Sequence, residues 1–545
     1  MTDQAIGAAG SARQTSAALV IGGASLGSLF EWYDFFLYGA LTSDIAHHFF
    51  AGVDETTGFL LTLTAFGAGF AVRPLGALIF GRVGDMVGRK YTFLVTMVLM
   101  GVATFAVGVL PDFNAMGLAA PVLLVALRLL QGLAIGGEYG GAAIYVAEHA
   151  PADRRGLDTS WINATGMVGL ALSLVVVIVC RVSLTAEQFD SFGWRIPFLA
   201  SIALLAVSLW IRFKLNESPV FQKMKDEGAV SKAPYAETFG DWRNVRTMAA
   251  VFLMTAGGTS VYYAAQLYAL VFLERVLKLD GLTADTLIAV ALGIAAPTYL
   301  LMGWLSDRIG RKIVILGGNV IAAFLLFPLF YQLTLAANPA LAAAQHNAPV
   351  VVVADPQSCS FQFDPLNSRH FDRTGCDVAH AFLSKAGVSY RNQAAAAGAA
   401  TEVHVGSTRV SAPDPSQSAE VTVLQTQFRQ ALAAAGYPEK AAPEDVNKPL
   451  LVALAVVLAI LGAMVFAPAA AFLVELFPAR VRYTSFSTPY HLATGWIGGF
   501  LPATAFAIVV ATGNIYAGLW YPVGFAAFAA VSGWLLLPET KGRSI

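Results

Sequence analysis

The chain has 545 residues, 57% of them hydrophobic and 13% charged, with a formal net charge of −1. A water-soluble protein of this length needs more polar surface than that, so the composition excludes it and makes a lipid bilayer the solvent. The near-neutral balance gives no footing for a nucleic-acid partner.

A bilayer core takes about 20 apolar residues per helix. Apolar runs of that size fall at 17–41, 57–80, 91–110, 121–147, 159–183, 193–214, 247–272, 285–304, 313–335, 449–474, 484–511 and 513–537. The fold class expected is therefore all-α integral membrane, with twelve helices in two six-helix bundles. The first 16 residues are polar, and the run behind them is too long for a cleavable signal. Lys and Arg set the orientation. With both termini inside, Arg82, Arg89, Lys90, Arg154, Arg155, Arg308, Arg311, Lys312, Arg480, Arg482, Lys541 and Arg543 all fall cytoplasmic, whereas the loops near 42–56, 111–120 and 184–192 carry no Lys or Arg. The domains expected are an N-terminal bundle over 1–215, a cytoplasmic linker over 216–246, helices 7–9 over 247–335, an insertion over 336–448, and helices 10–12 with the tail over 449–545.

The first span holds Glu31-Trp32-Tyr33-Asp34. Carboxylates at i and i+3 share a helix face, and in an apolar helix each costs several kcal/mol unless it is paired, protonated or wet. Asp34 and Glu31 are the proton-coupling candidates, against the alternative of a structural pair with an arginine. Tyr33 stands beside them as a substrate contact. The second span ends with Arg73-Pro74, where the arginine can bind an anion, pair with those acids or snorkel; snorkelling or pairing is the expected job. The fourth span holds Arg128 and Gln131 on one face, the first choice for a substrate carboxylate because a guanidinium matches its geometry, with a structural pair to an acid of the first span as the rival reading. Glu138 follows, expected to pair with an arginine of another helix. The seventh span offers Tyr262 and Gln266 to a polar ligand, with aromatic lining used only for packing as an equal alternative, and His491 near the start of the eleventh span is expected to be structural.

Two stretches are copies of each other. Gly81-Arg82-Val83-Gly84-Asp85-Met86-Val87-Gly88-Arg89-Lys90 and Gly303-Trp304-Leu305-Ser306-Asp307-Arg308-Ile309-Gly310-Arg311-Lys312 both read G-x-x-x-D-x-x-G-R-K. The glycines let the chain reverse and two helices approach, and the Asp can face a helix N-terminus or an arginine. A second pair of copies is Glu148-His149-Ala150-Pro151 with Arg154 and Arg155, and Glu475-Leu476-Phe477-Pro478 with Arg480 and Arg482. Asp85, Arg89, Glu148, Arg154, Arg155, Asp307, Arg311, Glu475 and Arg480 are expected to form a cytoplasmic gate.

The copies also expose the insertion. Asp85 to Glu148 is 63 positions and Asp307 to Glu475 is 168, so 105 extra residues sit between the ninth and tenth spans, on the outer face. Val350–Val353 reads as a strand, 377–386 and 426–435 read as short helices, and Gly387 and Gly436 stand where C-cap glycines belong. A small α/β subdomain is expected, with a disordered loop as the competing reading. Cys359 and Cys376 lie there on the oxidising side, where a disulfide persists. Two free thiols are the alternative, and Cys180 reads as an apolar filler.

The paired turns resemble the signature loops of the major facilitator superfamily. Glu31-Trp32-Tyr33-Asp34, Arg73-Pro74-Leu75-Gly76, Arg128-x-x-Gln131-Gly132, Gly136-Gly137-Glu138-Tyr139-Gly140-Gly141 and Asn216-Glu217-Ser218-Pro219 narrow the resemblance to its metabolite:proton symporters. Pro538-Glu539-Thr540-Lys541-Gly542 also resembles the related sugar porters. The resemblance implies a carrier of shikimate, α-ketoglutarate, citrate, proline or betaine type.

The function expected is a proton-coupled importer of a small mono- or dicarboxylate in a bacterial inner membrane. It would need no cofactor beyond the proton gradient, no metal, and no partner beyond substrate, protons and lipid, with one chain as the transport unit. Alternatives are a zwitterion symporter, a non-transporting sensor whose outer domain binds a ligand, and a drug:proton exporter, which the lack of proline in 161–180 opposes. An enzyme is not expected: His370, His380 and His404 form no catalytic constellation.

Overall fold

In the computed structural model, residues 17–51, 62, 65, 67–360 and 372–545 are described. The amino-terminal 16 residues, the start of the expected second span and His370 lie outside them. Ten helices among the described residues are long and apolar enough to cross a membrane. In chain order the elements that matter are α1 (Ala17–Ala40), α2 (Thr42–Phe49), α3 (Arg73–Met86), α4 (Arg89–Val109), α5 (Ala119–His149), α6 (Arg155–Ser183), α7 (Ala186–Ser191), α8 (Ile196–Phe213), α9 (Trp242–Tyr263), α10 (Gly281–Ile309) and α11 (Arg311–Ala337). Past the insertion come α14 (Lys448–Phe466), α15 (Ala469–Leu476), α16 (Arg482–Leu492), α17 (Leu501–Thr512) and α18 (Trp520–Leu536). Several helices overrun their apolar runs at the charged end, as α4 does by starting at Arg89, because motif residues there complete the first turn.

The helices pack as two bundles. In the first, α1 lies on α6 and α8, and α5 lies on α3 and α4. In the second, α9 lies on α18, and α14 lies on α10 and α11. The broadest contacts between the bundles are α6 with α10 and α3 with α16, and α5 also meets α15 and α16. Small residues permit both crossings: a Cβ on Gly156 would stand 2.7 Å from Gly303 O, and one on Gly303 would stand 2.6 Å from Gly156 O. Three π-helical turns interrupt the second bundle, Ala264–Tyr268 and Phe272–Val276 after α9, and Ala493–Gly498 after α16. Such turns widen the backbone and recur at functional sites.

The segment between α11 and α14 holds a four-stranded sheet. Its strands are β1 (Val350–Ala354), β2 (Tyr390–Ala394), β3 (Thr401–Val405) and β4 (Thr408–Ala412), in the order β2-β1-β3-β4. β1 and β2 are parallel, joined through α12 (Gly375–Lys385); β3 pairs antiparallel with β1 and with β4. A further helix, α13 (Ser418–Ala434), packs on the same side as α12. Val350, Val352, Ala354, Val403 and Val405 alternate inward onto Leu383, Leu424 and Phe428, all buried. The unit stands on the second bundle: Tyr390 N donates to Gly513 O at 2.7 Å, its hydroxyl to Val510 O at 3.1 Å, and Ala441 N to Lys278 O at 3.0 Å.

Cys359 and Cys376 are disulfide-bonded across 17 positions. A loop of that size is held by about 3 kcal/mol on the chain-entropy estimate. Cys359→Ser is therefore expected to speed protease cleavage within 339–447 while leaving the helices resistant, as limited proteolysis read by mass spectrometry would show. Equal cleavage rates would mean that the crosslink does not hold the unit.

Candidate functional site

The repeated turns sit together at one end of the bundles, and each reaches across to the other bundle. Asp85 Oδ1 accepts from Tyr483 N at 3.0 Å, and its Oδ2 accepts from Thr484 N at 2.9 Å and Thr484 Oγ1 at 2.8 Å. Asp307 accepts from Gly156 N and Leu157 N, both at 2.8 Å. Each carboxylate thus caps a helix of the opposite bundle, α16 and α6, where free N–H groups and the helix dipole favour an anion. Gly88 and Gly310 have φ of 133° and 114°, the left-handed region that suits glycine, and they end the two turns. Arg89 and Arg311 follow them, fully buried. Arg89 donates to Gly84 O at 2.7 Å and crosses to Ala479 O at 2.8 Å.

The second pair of copies completes the network through Arg155, as expected, and through Arg482 in place of Arg480. Glu475 binds Arg155 at 2.7 Å and Arg311 at 3.3 Å, while Glu148 binds Arg482 at 2.8 Å. Arg154, expected here, is exposed and pairs with Asp158 at 3.7 Å; Arg480, also expected, pairs with Glu237 at 3.2 Å on the surface. Arg155 and Arg482 open α6 and α16 and point inward, whereas Arg154 precedes the first turn of α6 and Arg480 lies in the short turn Ala479–Val481 before α16. Sequence reasoning missed two more acids. Glu217 accepts from Arg89 N at 3.2 Å and Lys90 N at 3.2 Å, and Glu539 accepts from Arg311 N at 2.9 Å and Lys312 N at 3.1 Å. Their signal was present as the twin P/S-flanked acids of Asn216-Glu217-Ser218-Pro219 and Pro538-Glu539-Thr540.

These contacts shut that end. Asp85→Asn keeps the shape but loses the charge that the α16 terminus stabilises by about 0.3–2 kcal/mol. The variant is expected to open this end more often, seen as faster thiol labelling of a cysteine placed at Ser487. Unchanged labelling would reduce the turn to a topological anchor.

Inside the first bundle, the intramembrane acids meet three arginines. Asp34 is buried and faces Thr104, Glu138 and Arg128; Glu31, also buried, faces Glu138, Arg73 and Arg212. A small cleft between α1, α4, α5 and α8 is lined by Glu31, Asp34, Met100, Glu138 and Ser208. Arg212 was not foreseen: it ends an apolar span two residues before Lys214, where a basic residue reads as an interface anchor. Instead it turns inward, its guanidinium 3.0 Å from the Phe93 ring centre and pressed against Gly27, where a Cβ would collide with it. Arg128 lies over the Tyr38 ring at 3.6 Å, and Gln131 Nε2 donates to Thr104 Oγ1 at 2.7 Å. Both therefore face the interior of the bundle and not the seam between bundles. Tyr33 is likewise turned inward, donating to Pro197 O at 3.0 Å.

The seam itself is aromatic around one cation. Arg73 is buried, not snorkelling; its guanidinium packs 4.0 Å from the Phe70 ring and 4.6 Å from Phe35, and Nη1 donates to Tyr263 Oη at 3.5 Å. It makes no ion pair among the described residues. His491 lies beside Arg73, buried with neither ring nitrogen hydrogen-bonded. Tyr262 stacks on Phe466 at 4.3 Å and faces Trp32 at 6.2 Å, while Gln266 Nε2 contacts Tyr299 Oη at 3.3 Å. The π-turn after α9 sets Gln266 in this seam, and Gly498 lets the α16 π-turn lie against Tyr263.

The model of the family described as "Sugar (and other) transporter" matches residues 20–237 and 425–545, and "MFS/sugar transport protein" matches 140–355. The chain belongs to the sugar (and other) transporters of the major facilitator superfamily. It is a membrane transporter and not an enzyme. The shikimate transporter of Escherichia coli (strain K12) is 36% identical to this transporter over 315 residues, covering 57% of this chain and 71% of that one. The putative proline/betaine transporter of Staphylococcus aureus (strain COL) is 36% identical over 56% of this chain and 66% of its own length. The proline/betaine transporter of E. coli (strain K12) is 33% identical over 56% and 63%. Match lengths thus reach about two thirds of these relatives. The fold is that of the proton:xylose symporter XylE, with a TM-score of 0.62 at 16% identity over 97% of both chains. The partially occluded inward-open form of XylE from E. coli gives 0.58 at 16% identity, over 97% of this chain and 99% of that one.

Proposed function

We propose that this transporter imports a small carboxylate together with a proton, by alternating access between two six-helix bundles. In this reading α1 and the helix carrying Arg73 join the ten apolar helices as the first and second of twelve. The turns, both termini and the linker lie in the cytoplasm of a bacterial inner membrane, and the sheet-bearing unit lies outside. The observation that carries the substrate class is Arg73: a buried guanidinium in the seam, held by aromatic rings and a hydroxyl, with no carboxylate in direct contact among the described residues. A named substrate of one relative, shikimate, and those of others, proline and betaine, share a carboxylate, the group that a guanidinium binds best.

Charge counting links substrate to proton. Glu31, Asp34 and Glu138 balance Arg128, Arg212 and Arg73. A substrate carboxylate that engages Arg73 leaves one acid of the bundle in excess, and an unbalanced charge at that depth costs several kcal/mol. Uptake of one proton by Asp34 or Glu31 restores the balance. The bundles rock, the Asp85 and Asp307 contacts break, and substrate and proton leave to the cytosol. A single chain contains every part of this cycle.

A second reading is favoured by the rings of Trp32, Tyr262, Phe466 and Tyr490 around the seam, which suit a quaternary ammonium. A betaine-like zwitterion would place its carboxylate on Arg73 and its cation among those rings. Uptake of radiolabelled mono- and dicarboxylates, proline and betaine into proteoliposomes, with and without a protonophore, tests both. Protonophore-sensitive uptake of a carboxylate supports the first reading, and selective uptake of the zwitterions supports the second. Import that ignores the protonophore for all of them contradicts proton coupling.

A further inference from the structure

A group of metal-ligating side chains stands at the end opposite the turns, outside everything used for transport. His47 and His48 lie in the last turn of α2, and Asp190 lies in α7. His47 Nδ1 is 3.2 Å from Asp190 Oδ1, and His48 Nε2 is 3.4 Å from the same oxygen. Ligand atoms of the three residues all lie within 4.8 Å of one another. A tetrahedral Zn²⁺ with bonds of about 2.0–2.1 Å holds its donors about 3.3–3.4 Å apart, so both N···O spacings already suit a shared ion. Consecutive helical residues diverge by about 100°. Two neighbouring imidazoles can still converge here because one presents its near nitrogen and the other its far one.

The surroundings of His48 point the same way. Its side chain is 11% exposed and stacks on the buried Trp194 at 4.9 Å, with the planes 21° apart. Its Nε2 is buried and has no hydrogen-bond partner among the described residues, although it lies 3.4 Å from the Asp190 carboxylate. A nitrogen so held has already lost its water and gives up little more on binding an ion. Asp112 and Asp190 face the ring with negative charge, opposed by Arg195, which is occupied by Gly108 O and Leu110 O. His47 and Asp190 are open to solvent, so an ion has a path in.

We propose that His47, His48 and Asp190 bind one divalent transition-metal ion, with Zn²⁺ the best match to two imidazoles and a carboxylate. The ion would fasten the connection after α1 to the connection between α6 and α8, leaving a fourth position for water. The other group of suitable side chains, Cys359, Cys376 and His380, has its sulfurs joined to each other and is not the site.

The test is titration of the full chain in nanodiscs with Co²⁺, whose visible absorption is intense in tetrahedral sites. One equivalent should give that spectrum and Zn²⁺ should remove it. His47→Ala and Asp190→Asn alter exposed side chains and should each weaken binding more than the roughly 10–100-fold typical of an outer-shell change. Absence of the tetrahedral spectrum, or the same affinity in both variants, would overturn the proposal. So would a thiolate charge-transfer band that disappears in Cys359→Ser.

Discussion

Asp34→Asn is expected to abolish accumulation while leaving exchange of substrate across the membrane. The side chain is 4% exposed in α1, against Arg128, Thr104 and Glu138. Asparagine has nearly the same shape and hydrogen-bonding reach, so folding and the seam around Arg73 survive. What is lost is the ability to alternate between a carboxylate that balances Arg128 and a neutral acid that does not. Each unit of pH gradient supports roughly tenfold accumulation per coupled proton. The variant's steady-state ratio should therefore fall from about ten to about one at a gradient of one unit, with counterflow continuing. Full gradient-driven accumulation by the variant would move proton coupling away from α1.

Arg73→Lys is expected to have the second large effect, on affinity. Lysine keeps the charge but loses the planar fork that lies against Phe70 and Phe35 and meets a carboxylate with two parallel bonds. Hydrogen bonds to charged groups contribute about 1.5–3 kcal/mol, so half-saturation should rise about 10–100-fold. Arg128→Lys should act differently. Arg128 faces Tyr38 and Asp34 inside the first bundle, so its replacement should disturb coupling before affinity. Equal affinity in Arg73→Lys and a large loss in Arg128→Lys would reverse the two roles.

The helical class and the twin turns were legible because both rest on local signals: a run of about 20 apolar residues, and glycines at the spacing that a reversal requires. The inward facing of Arg128, Arg73 and Arg212 was not. Helical spacing places Arg128 and Gln131 on one face but does not say whether that face looks at α1 or at the other bundle. Arg212 hid for the opposite reason, since a span end explains any basic residue. Arg154 is expected beside Arg155, and Arg480 in place of Arg482, because closely spaced arginines differ only in which begins the helix, and helix starts are uncertain by a residue or two. In the insertion, the run Val350–Val353 announces a strand by its β-branched residues. Tyr390–Ala394 is exposed along most of its length and carries polar residues, so only its pairing with β1 marks it as one.

The central claim is that substrate and proton enter together. It is tested most directly by adding the best-transported carboxylate to proteoliposomes without an imposed gradient while recording external pH in weakly buffered medium. Immediate external alkalinisation is expected, with one proton removed for each monoanion taken up, and none in Asp34→Asn. Uptake of the labelled carboxylate at the same rate with no change in external pH would contradict it.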